Sequence, residues 1–589
     1  MSIMVNPHND SRARKIIRRD HAREDILPDS IHPVLRRIYG ARNITSTAEL
    51  DMSLNGMLPY RDLLGMEQAV QLLTAAIKDR KRILVVADYD ADGATGCALA
   101  IRGLRSMGAV DLDYLVPSRF DFGYGLSPEL AEVAADMQPD LLLTVDNGIS
   151  SIDGVRLARA RGMDVLITDH HLARDDLPEA NVIVNPNQPG DTFPSKNLAG
   201  VGVVFYILAA LRAHLREIDW FKETGIREPN LAALLDLVAL GTVADVVPLD
   251  YNNRVLVAQG LARIRAGRGV PGINALLTVA KRTPAGITAS DLGFAVGPRL
   301  NAAGRLEDMS LGIECLLCDD PGQAMTMAGK LDELNRERRG IQQEMQEFAE
   351  QEMAVLASGD ELPFGVCLYK DDWHQGVIGI LASKVKDKWN RPVIAFADDR
   401  DGLIKGSARS VKAVHIRDLL DSMARREPDL LIRFGGHAMA AGLTIRRDDF
   451  DRFSMVFDAE VRRHLHVDEL AGSILTDGEL NDTEMNMRLA EAINGAGPWG
   501  QGFPEPLFDG VFEVAERRIV AEKHLKLTLR LPGSNKTREA MAFFTDDGDW
   551  PRQVGQVQIV YRLNINEYYG NRKLQLIVEH VEPVNNREV

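Results

Sequence analysis

Carboxylates gather at four places in the first 250 residues: Asp88-Tyr-Asp90-Ala-Asp92-Gly93, Asp146-Asn147-Gly148, Asp169-His170-His171, and Asp245 in Gly-Thr-Val-Ala-Asp. Oxygen donors with one or two histidines suit a hard or borderline divalent cation such as Mg2+ or Mn2+, whereas zinc and copper sites draw more on Cys and His. Two such ions, about 3.5–4 Å apart, clamp the attacking and leaving oxygens of a phosphodiester. The pattern therefore predicts a metal-dependent phosphoesterase site. One cluster alone reads as easily as a solvated turn or a helix cap. Asp88 to Gly93 also spells the start of an EF-hand loop, but the twelfth position is Leu99 rather than a bidentate Glu.

Each cluster follows an apolar run, at 83–87, 141–145, 165–168 and 234–240. Runs of this kind make buried parallel strands. In an open parallel sheet, ligands collect in the crevice outside the carboxyl ends of the strands, so four distant segments are expected to converge there. If the chain stays extended after 87, the period-two alternation puts Asp88, Asp90 and Asp92 on one side. Three carboxylates on one side repel unless cations hold them.

The 589 residues exceed a single core and suggest about three to four domains. Residues 1–50 read as a polar N-terminal extension, with Arg12, Arg14, Lys15, Arg18 and Arg19 in a solvated, disordered arm. Residues 51–320 read as a doubly wound α/β domain and 321–358 as one long connecting helix, with Leu331, Leu334, Ile341, Met345 and Phe348 at helical spacing. A smaller α/β domain is expected over 359–468, with strands near 364–368 and 391–396. An OB-like β-barrel is expected over 469–589, with strands near 511–520, 524–531, 557–564 and 573–581. Gly495-Ala-Gly497-Pro-Trp-Gly500 reads as a helix stop, not a dinucleotide loop.

Composition narrows the function. Four cysteines, Cys97, Cys315, Cys318 and Cys367, are too few for a disulfide framework, and Cys315-Leu-Leu-Cys318 reads as a buried helical pair. No stretch approaches ~18 uninterrupted apolar residues, so a cytoplasmic protein without a membrane partner is expected. A net charge of −16 argues mildly against nucleic acid, although the clusters themselves supply part of it. Between 511 and 573, eleven Lys and Arg outnumber eight Asp and Glu, with Phe543, Phe544, Tyr561, Tyr568 and Tyr569 interspersed. Cations beside stacking aromatics hold single strands in OB-folds, although core packing is the ordinary duty of such rings. In the second domain, Trp373-His374-Gln-Gly376-Val-Ile-Gly379, Gly406-Ser407-Ala-Arg409-Ser410 and Gly435-Gly436-His437 combine glycines with a hydroxyl and a guanidinium, as a phosphate-binding face requires.

On these motifs, with Gly297-Pro-Arg299-Leu-Asn301-Ala-Ala-Gly304-Arg305-Leu, the chain resembles the DHH phosphoesterase superfamily, in its branch of single-strand-specific DNA exonucleases. The resemblance covers nearly the whole chain. It implies a DHH domain, a DHH-associated domain and an OB domain, and a 5′-to-3′ exonuclease that releases mononucleotides in repair and recombination with two Mn2+ or Mg2+ ions. It makes Asp90, Asp92, Asp146, His170 and Asp245 metal ligands, while Asp88 and His171 support the ions or touch the scissile phosphate. Arg119, Arg299, Asn301, Arg305, His374, Ser407, Arg409, Gly435, Gly436 and His437 become candidates for gripping the strand. Single-stranded DNA with a 5′ end, single-strand-binding protein and a RecQ-type helicase are the partners implied, for a chain expected to be a monomer. The rivals are a DHH hydrolase of short oligoribonucleotides, cyclic dinucleotides or pyrophosphate, and a non-catalytic DNA-binding scaffold.

Overall fold

The computed structural model describes residues 14–20, 26–118, 122–174, 176–358, 362–466, 472–520, 524–543, 555–568 and 571–584. Arg12, Arg119, Phe544 and Tyr569 lie outside them, as does the side chain of Tyr568. The chain divides into two units, His21–Arg336 with Glu491–Glu505, and Met1–Asp20 with Glu337–Ala490 and Pro506–Val589.

The first unit is built on five parallel strands, β1 (Arg82–Ala87), β2 (Asp111–Leu115), β3 (Leu141–Val145), β4 (Asp164–Thr168) and β5 (Val182–Val184), in the order β2-β1-β3-β4-β5. Alternation along the strands sorts their side chains between two cores. Leu84, Val86, Leu142, Val165 and Ile167 pack under the helices Pro128–Asp136 and Ile152–Ala160. Ile83, Val85, Leu141, Leu143 and Leu166 face α1 (Ala91–Ser106), α2 (Gly200–Glu217) and α3 (Leu235–Ala244). The strand order reverses between β1 and β3, and that switch point is where an open α/β sheet binds its ligand.

Two local expectations are corrected. The run at 234–240 is not a strand but the start of α3, buried on every side from Leu235 to Thr242. A short run that is apolar throughout carries no periodicity to separate strand from helix. Nor does the chain stay extended through Asp92: Asp90 caps α1, its Oδ1 accepting the N–H groups of Asp92 (2.9 Å) and Gly93 (3.1 Å). Asp92 is thereby placed inside the helix.

The polar composition of the first fifty residues conceals a structured segment. Leu27, Val34, Ile38 and Ile44 are buried in this unit around the helix Pro33–Gly40. The Tyr39 hydroxyl donates to the carbonyl of Ala496, and Arg42 Nε donates to that of Pro504. Trp499 stacks on Phe503 with the rings 5.0 Å apart, so the late segment 491–505 completes this core. After α4 (Gly297–Leu306), α5 (Pro321–Ala357) has the expected extent, with Leu331 and Leu334 in this core and Ile341, Met345 and Phe348 in a core of the second unit. Cys315 is buried in the helix Ser310–Leu317, as expected, whereas Cys318 lies just beyond it, half-buried and in extended backbone.

The second unit contains the sheet β6 (Val366–Tyr369), β7 (Val393–Asp398), β8 (Leu403–Arg409), β9 (Arg433–Gly436) and β10 (Ala440–Arg446), ordered β9-β10-β8-β7-β6, with α6 (Ile378–Trp389) against it. Its last five strands are β11 (Phe508–Val520), β12 (His524–Arg530), β13 (Thr537–Phe543), β14 (Gln556–Tyr568) and β15 (Asn571–Pro583). They pair in the ring β11-β12-β13-β15-β14, which closes through β14 and β11. The sequence reading missed β13, whose Thr-Arg-Glu-Ala-Met-Ala-Phe lacks the usual run of β-branched residues. Tyr561 is fully buried in this barrel and does not face solvent for stacking, whereas Phe543 is 48% exposed.

The described part of the N-terminal arm is ordered, against expectation. Lys15–Arg18 forms a strand parallel to Ser473–Thr476, and Arg18 makes three hydrogen bonds to the buried carboxylate of Asp509, the shortest 2.7 Å. A buried acid distant in sequence decides this pairing, and composition cannot show it.

Candidate metal centre

The sheet itself brings the acids together. The backbone N–H of Asp88 donates to Val145, that of Asp146 to Thr168 and that of Asp169 to Val184. Each acid therefore prolongs one rung of the parallel ladder just beyond its strand. Asp92 comes from α1 and is fully buried, its carboxylate accepting Gly200 N–H at 2.6 Å and Val201 N–H at 3.0 Å from the start of α2. Only glycine fits at 200, because a side-chain carbon there would lie 2.7 Å from Asp146 Cβ. Asp245 terminates α3.

His170 sits in the middle. Its Nε2 lies 3.0 Å from Asp146 Oδ1, 3.6 Å from Asp245 Oδ2 and 4.0 Å from Asp92 Oδ2. Donor atoms within 4.8 Å of one another form three overlapping sets: Asp146, His170 and His171; Asp92, His170 and Asp245; Asp88, Asp90 and Asp146. The possible donor atoms of all seven expected residues thus fall into these overlapping sets, with Asp88 beside Asp90 and Asp146.

Electrostatics demand a cation here. Burial and the surrounding carboxylates raise Asp92 and Asp245 to about 7 and push Asp146 well above its ordinary value. Burial, aided by the charge of His171, lowers His170, which favours the neutral imidazole that metal ligation requires. Asp146 Oδ1 and His170 Nε2 are buried, and neither makes a hydrogen bond within the described structure. Unsatisfied carboxylate oxygen and imidazole nitrogen aimed at common points are what a hard or borderline divalent cation requires, so the residues fit two overlapping Mn2+ or Mg2+ sites.

The supporting residues were the ones sequence reasoning passed over. Asp169, although part of a recognised cluster, is not aimed at the donors. Its carboxylate accepts the N–H groups of Ile149, His170 and His171 and bonds His171 Nδ1 at 2.8 Å. Burial would raise Asp169, but the bond and charge of His171 overcome it and lower the group. His171 is held up to about 9: burial pulls it down, and the hydrogen bond and charge of Asp169 outweigh that pull. Tyr124 Oη lies 3.0 Å from His171 Nδ1 and 3.2 Å from the carbonyl of Asp146. Asn185 and Asn187 donate to the carbonyls of His171 and His170. Asp169 was legible in its motif; the others carried no local signal.

The remaining candidates take different positions. Arg299 is buried and bonded through Nε and Nη2 to Asp332 and through Nη1 to the carbonyl of Ala295, so it holds α4 to α5 instead of reaching for phosphate. Asn301 accepts Ala91 N–H at 2.8 Å and steadies the start of α1. Arg305 lies, half-buried, in the last turn of α4. Arg119 is outside the described residues.

In the second unit, Ser407, Gly442 and Gly435 lie in one row across β8, β10 and β9. Nothing stands within 4 Å above either glycine. Arg409 Nη1 donates to Ser407 Oγ at 3.0 Å, and α6 approaches so closely at Gly379 that a side-chain carbon would lie 2.9 Å from both Ser407 Oγ and Arg409 Nη2. His374 Nδ1 accepts Gly376 N–H, and burial lowers its pKa. Gly436 and the exposed His437 form the adjoining turn, where His437 N–H donates to Ala440.

Comparisons with known proteins agree with this architecture. The DHH family N-terminal domain matches residues 82–242, the DHHA1 domain 362–463 and the RecJ OB domain 476–580. The single-stranded-DNA-specific exonuclease RecJ of Dickeya dadantii (strain 3937) is 52% identical over 570 residues, 96% of this chain and 99% of that protein. The crystal structure of RecJ from Thermus thermophilus in complex with Mn2+ superposes with a TM-score of 0.80 at 29% identity, covering 98% of this chain and 80% of that one. Its Mg2+ complex gives a TM-score of 0.75 at 27% identity, covering 98% and 79%. With the acid cluster, the three matched domains and identity along nearly its entire length, the chain belongs to the RecJ family of DHH phosphoesterases.

Proposed function

We propose that this protein hydrolyses single-stranded DNA from the 5′ end to mononucleotides, in DNA repair and recombination. The observation that carries the reading is the convergence of Asp88, Asp90, Asp92, Asp146, His170, His171 and Asp245 at the β1/β3 switch point, in a chain similar over its whole length to single-stranded-DNA-specific exonucleases. When bound, divalent cations supply the charge that favours in-line displacement at phosphorus. Asp90, Asp92, Asp146, His170 and Asp245 hold them, with Asp88 as a further donor. His171, oriented by its hydrogen bond to Asp169, supports the ions or touches the scissile phosphate.

In the second unit Ser407 and Arg409 are the candidates for gripping phosphate, where the open row at Gly435 and Gly442 lets a backbone approach; in the first unit the candidates are Arg305 and Arg119. The Gly435-Gly436-His437 turn adjoins that row, and His374 is a further candidate of the same unit. Asn301 and Arg299 act indirectly, by placing α1 and α4. Among the described residues no helix is long and apolar enough to cross a membrane. A cytoplasmic monomer working with single-strand-binding protein and a RecQ-type helicase is the setting that family membership supports.

The test uses one long strand labelled at its 5′ end and, separately, at its 3′ end, with Mn2+ present. Immediate release of labelled mononucleotide from the 5′ label alone is expected. Exclusive cleavage of dinucleotides, with the long strand untouched, would sink the reading.

A further inference from the structure

Among the described residues of the first unit, the three most exposed large apolar side chains are Phe294 at 78%, Leu172 at 73% and Val246 at 63%. Scattered exposed apolar residues are ordinary, but two of these directly follow residues of the metal centre and the third follows a glycine packed against the helix that ends at Asp245. Leu172 directly follows His171, and Val246 directly follows Asp245. Phe294 follows Gly293, where a side-chain carbon would lie 3.2 Å from Val243 Cγ1, two residues before Asp245.

Two of the three stand on unusual backbone. Val246 has φ +66°, a left-handed conformation that a β-branched residue rarely adopts. Phe294 is the middle residue of a single π turn, Leu292–Val296, between the segment Ala289–Asp291 and α4. Such turns and such strain persist where the surroundings over-determine them, and they cluster at functional sites.

We infer that Phe294, Val246 and Leu172 form an apolar rim at the mouth of the metal centre, on which the bases of the nucleotides flanking the scissile phosphate pack, with Phe294 stacking on one of them. The inference rests on the reading of this site as a nuclease. An apolar rim cannot satisfy phosphates, but base faces are apolar and lie about one nucleotide's length, roughly 6 Å, from the phosphate being cut. In a duplex those faces are already covered by their neighbours. The rim therefore rewards only an unpaired strand, which adds a local basis for strand choice.

The test uses full-length protein carrying Asp146→Ala, so that bound strands are not consumed, and 5′-phosphorylated strands with 2-aminopurine at each of the first four positions. Binding is expected to quench the fluorescence at one or two adjacent positions. Adding Phe294→Ala should abolish that quenching and weaken binding about five- to hundred-fold. On a strand made abasic at the quenched position, Phe294→Ala should cost less than two-fold, because the partner is already gone. Leu172→Ala should show the same coupling at the neighbouring position. An unchanged melting temperature is expected, since both side chains are exposed. Quenching at no position, or equal losses from Phe294→Ala on intact and abasic strands, would overturn the rim. Failure of the Asp146→Ala protein to bind any single strand would instead overturn the nuclease reading beneath it.

Discussion

Asp146 is the residue on which the centre turns, because its carboxylate belongs to two of the three donor sets and lies 3.0 Å from His170. Asp146→Ala should reduce Mn2+-dependent hydrolysis at least about a thousand-fold while leaving single-strand binding within a few-fold, checked by single-turnover kinetics and fluorescence anisotropy. An unchanged rate would place the chemistry elsewhere. The raised carboxylates also predict how stability follows pH. Asp92 and Asp245 take up protons near pH 7 when folded but near 4 when unfolded. Their contribution to stability is therefore fully present below about pH 4 and is lost as pH rises through 7. Ions that bind the ionised carboxylates reverse this. The rise in melting temperature on adding Mn2+ should accordingly be larger at pH 8 than at pH 5.5, and EDTA should erase it. An equal rise at both values would show that these carboxylates are not the ligands.

At the scale of elements, the centre depends on strand ends and helix starts meeting at one switch point. The beginning of α2 holds Asp92 through two backbone N–H groups, so the helix acts as part of the site. In the second unit the pairing of β8, β10 and β9 lays a hydroxyl and two bare glycines in a row, with Arg409 beside them. If Arg409 contacts one phosphate, Arg409→Ala should weaken single-strand binding and lower the slope of log affinity against log salt by about one unit. Titration at several salt concentrations decides this; an unaltered slope would remove Arg409 from the DNA-binding surface.

At the scale of the whole molecule, the chain does not use its domains in simple succession. The segment Glu491–Glu505 belongs to the unit built mainly from residues before 337. Phe503, 3% exposed, lies between Trp499 and the guanidinium of Arg254. Phe503→Ala should therefore destabilise the catalytic unit by about 3–5 kcal/mol, although the substitution lies far along the chain. Hydrogen exchange should quicken in residues 33–42 and 251–257; protection unchanged there would refute the packing argument. The net charge of −16 has a local meaning as well, because part of it is the cluster that cations neutralise.

What the sequence determined by itself was the chemistry and most of the elements. Acids at the ends of apolar runs, glycines beside Ser407 and Arg409, and uninterrupted helical spacing from 321 to 357 are local patterns that local physics converts into strands, turns and a helix. Tertiary structure decided whatever depends on a distant partner. The run at 234–240 could be strand or helix by sequence, because burial on all sides erases the periodicity that distinguishes them, and only its packing among neighbouring helices settles it as a helix. Arg299 became an anchor because Asp332 lies opposite it, and the arginine-rich arm became a strand because Asp509 is buried behind it. The roles of Tyr124 and of the N–H groups of Gly200 and Val201 exist only once segments far apart in sequence are in contact, so no window of sequence could have shown them.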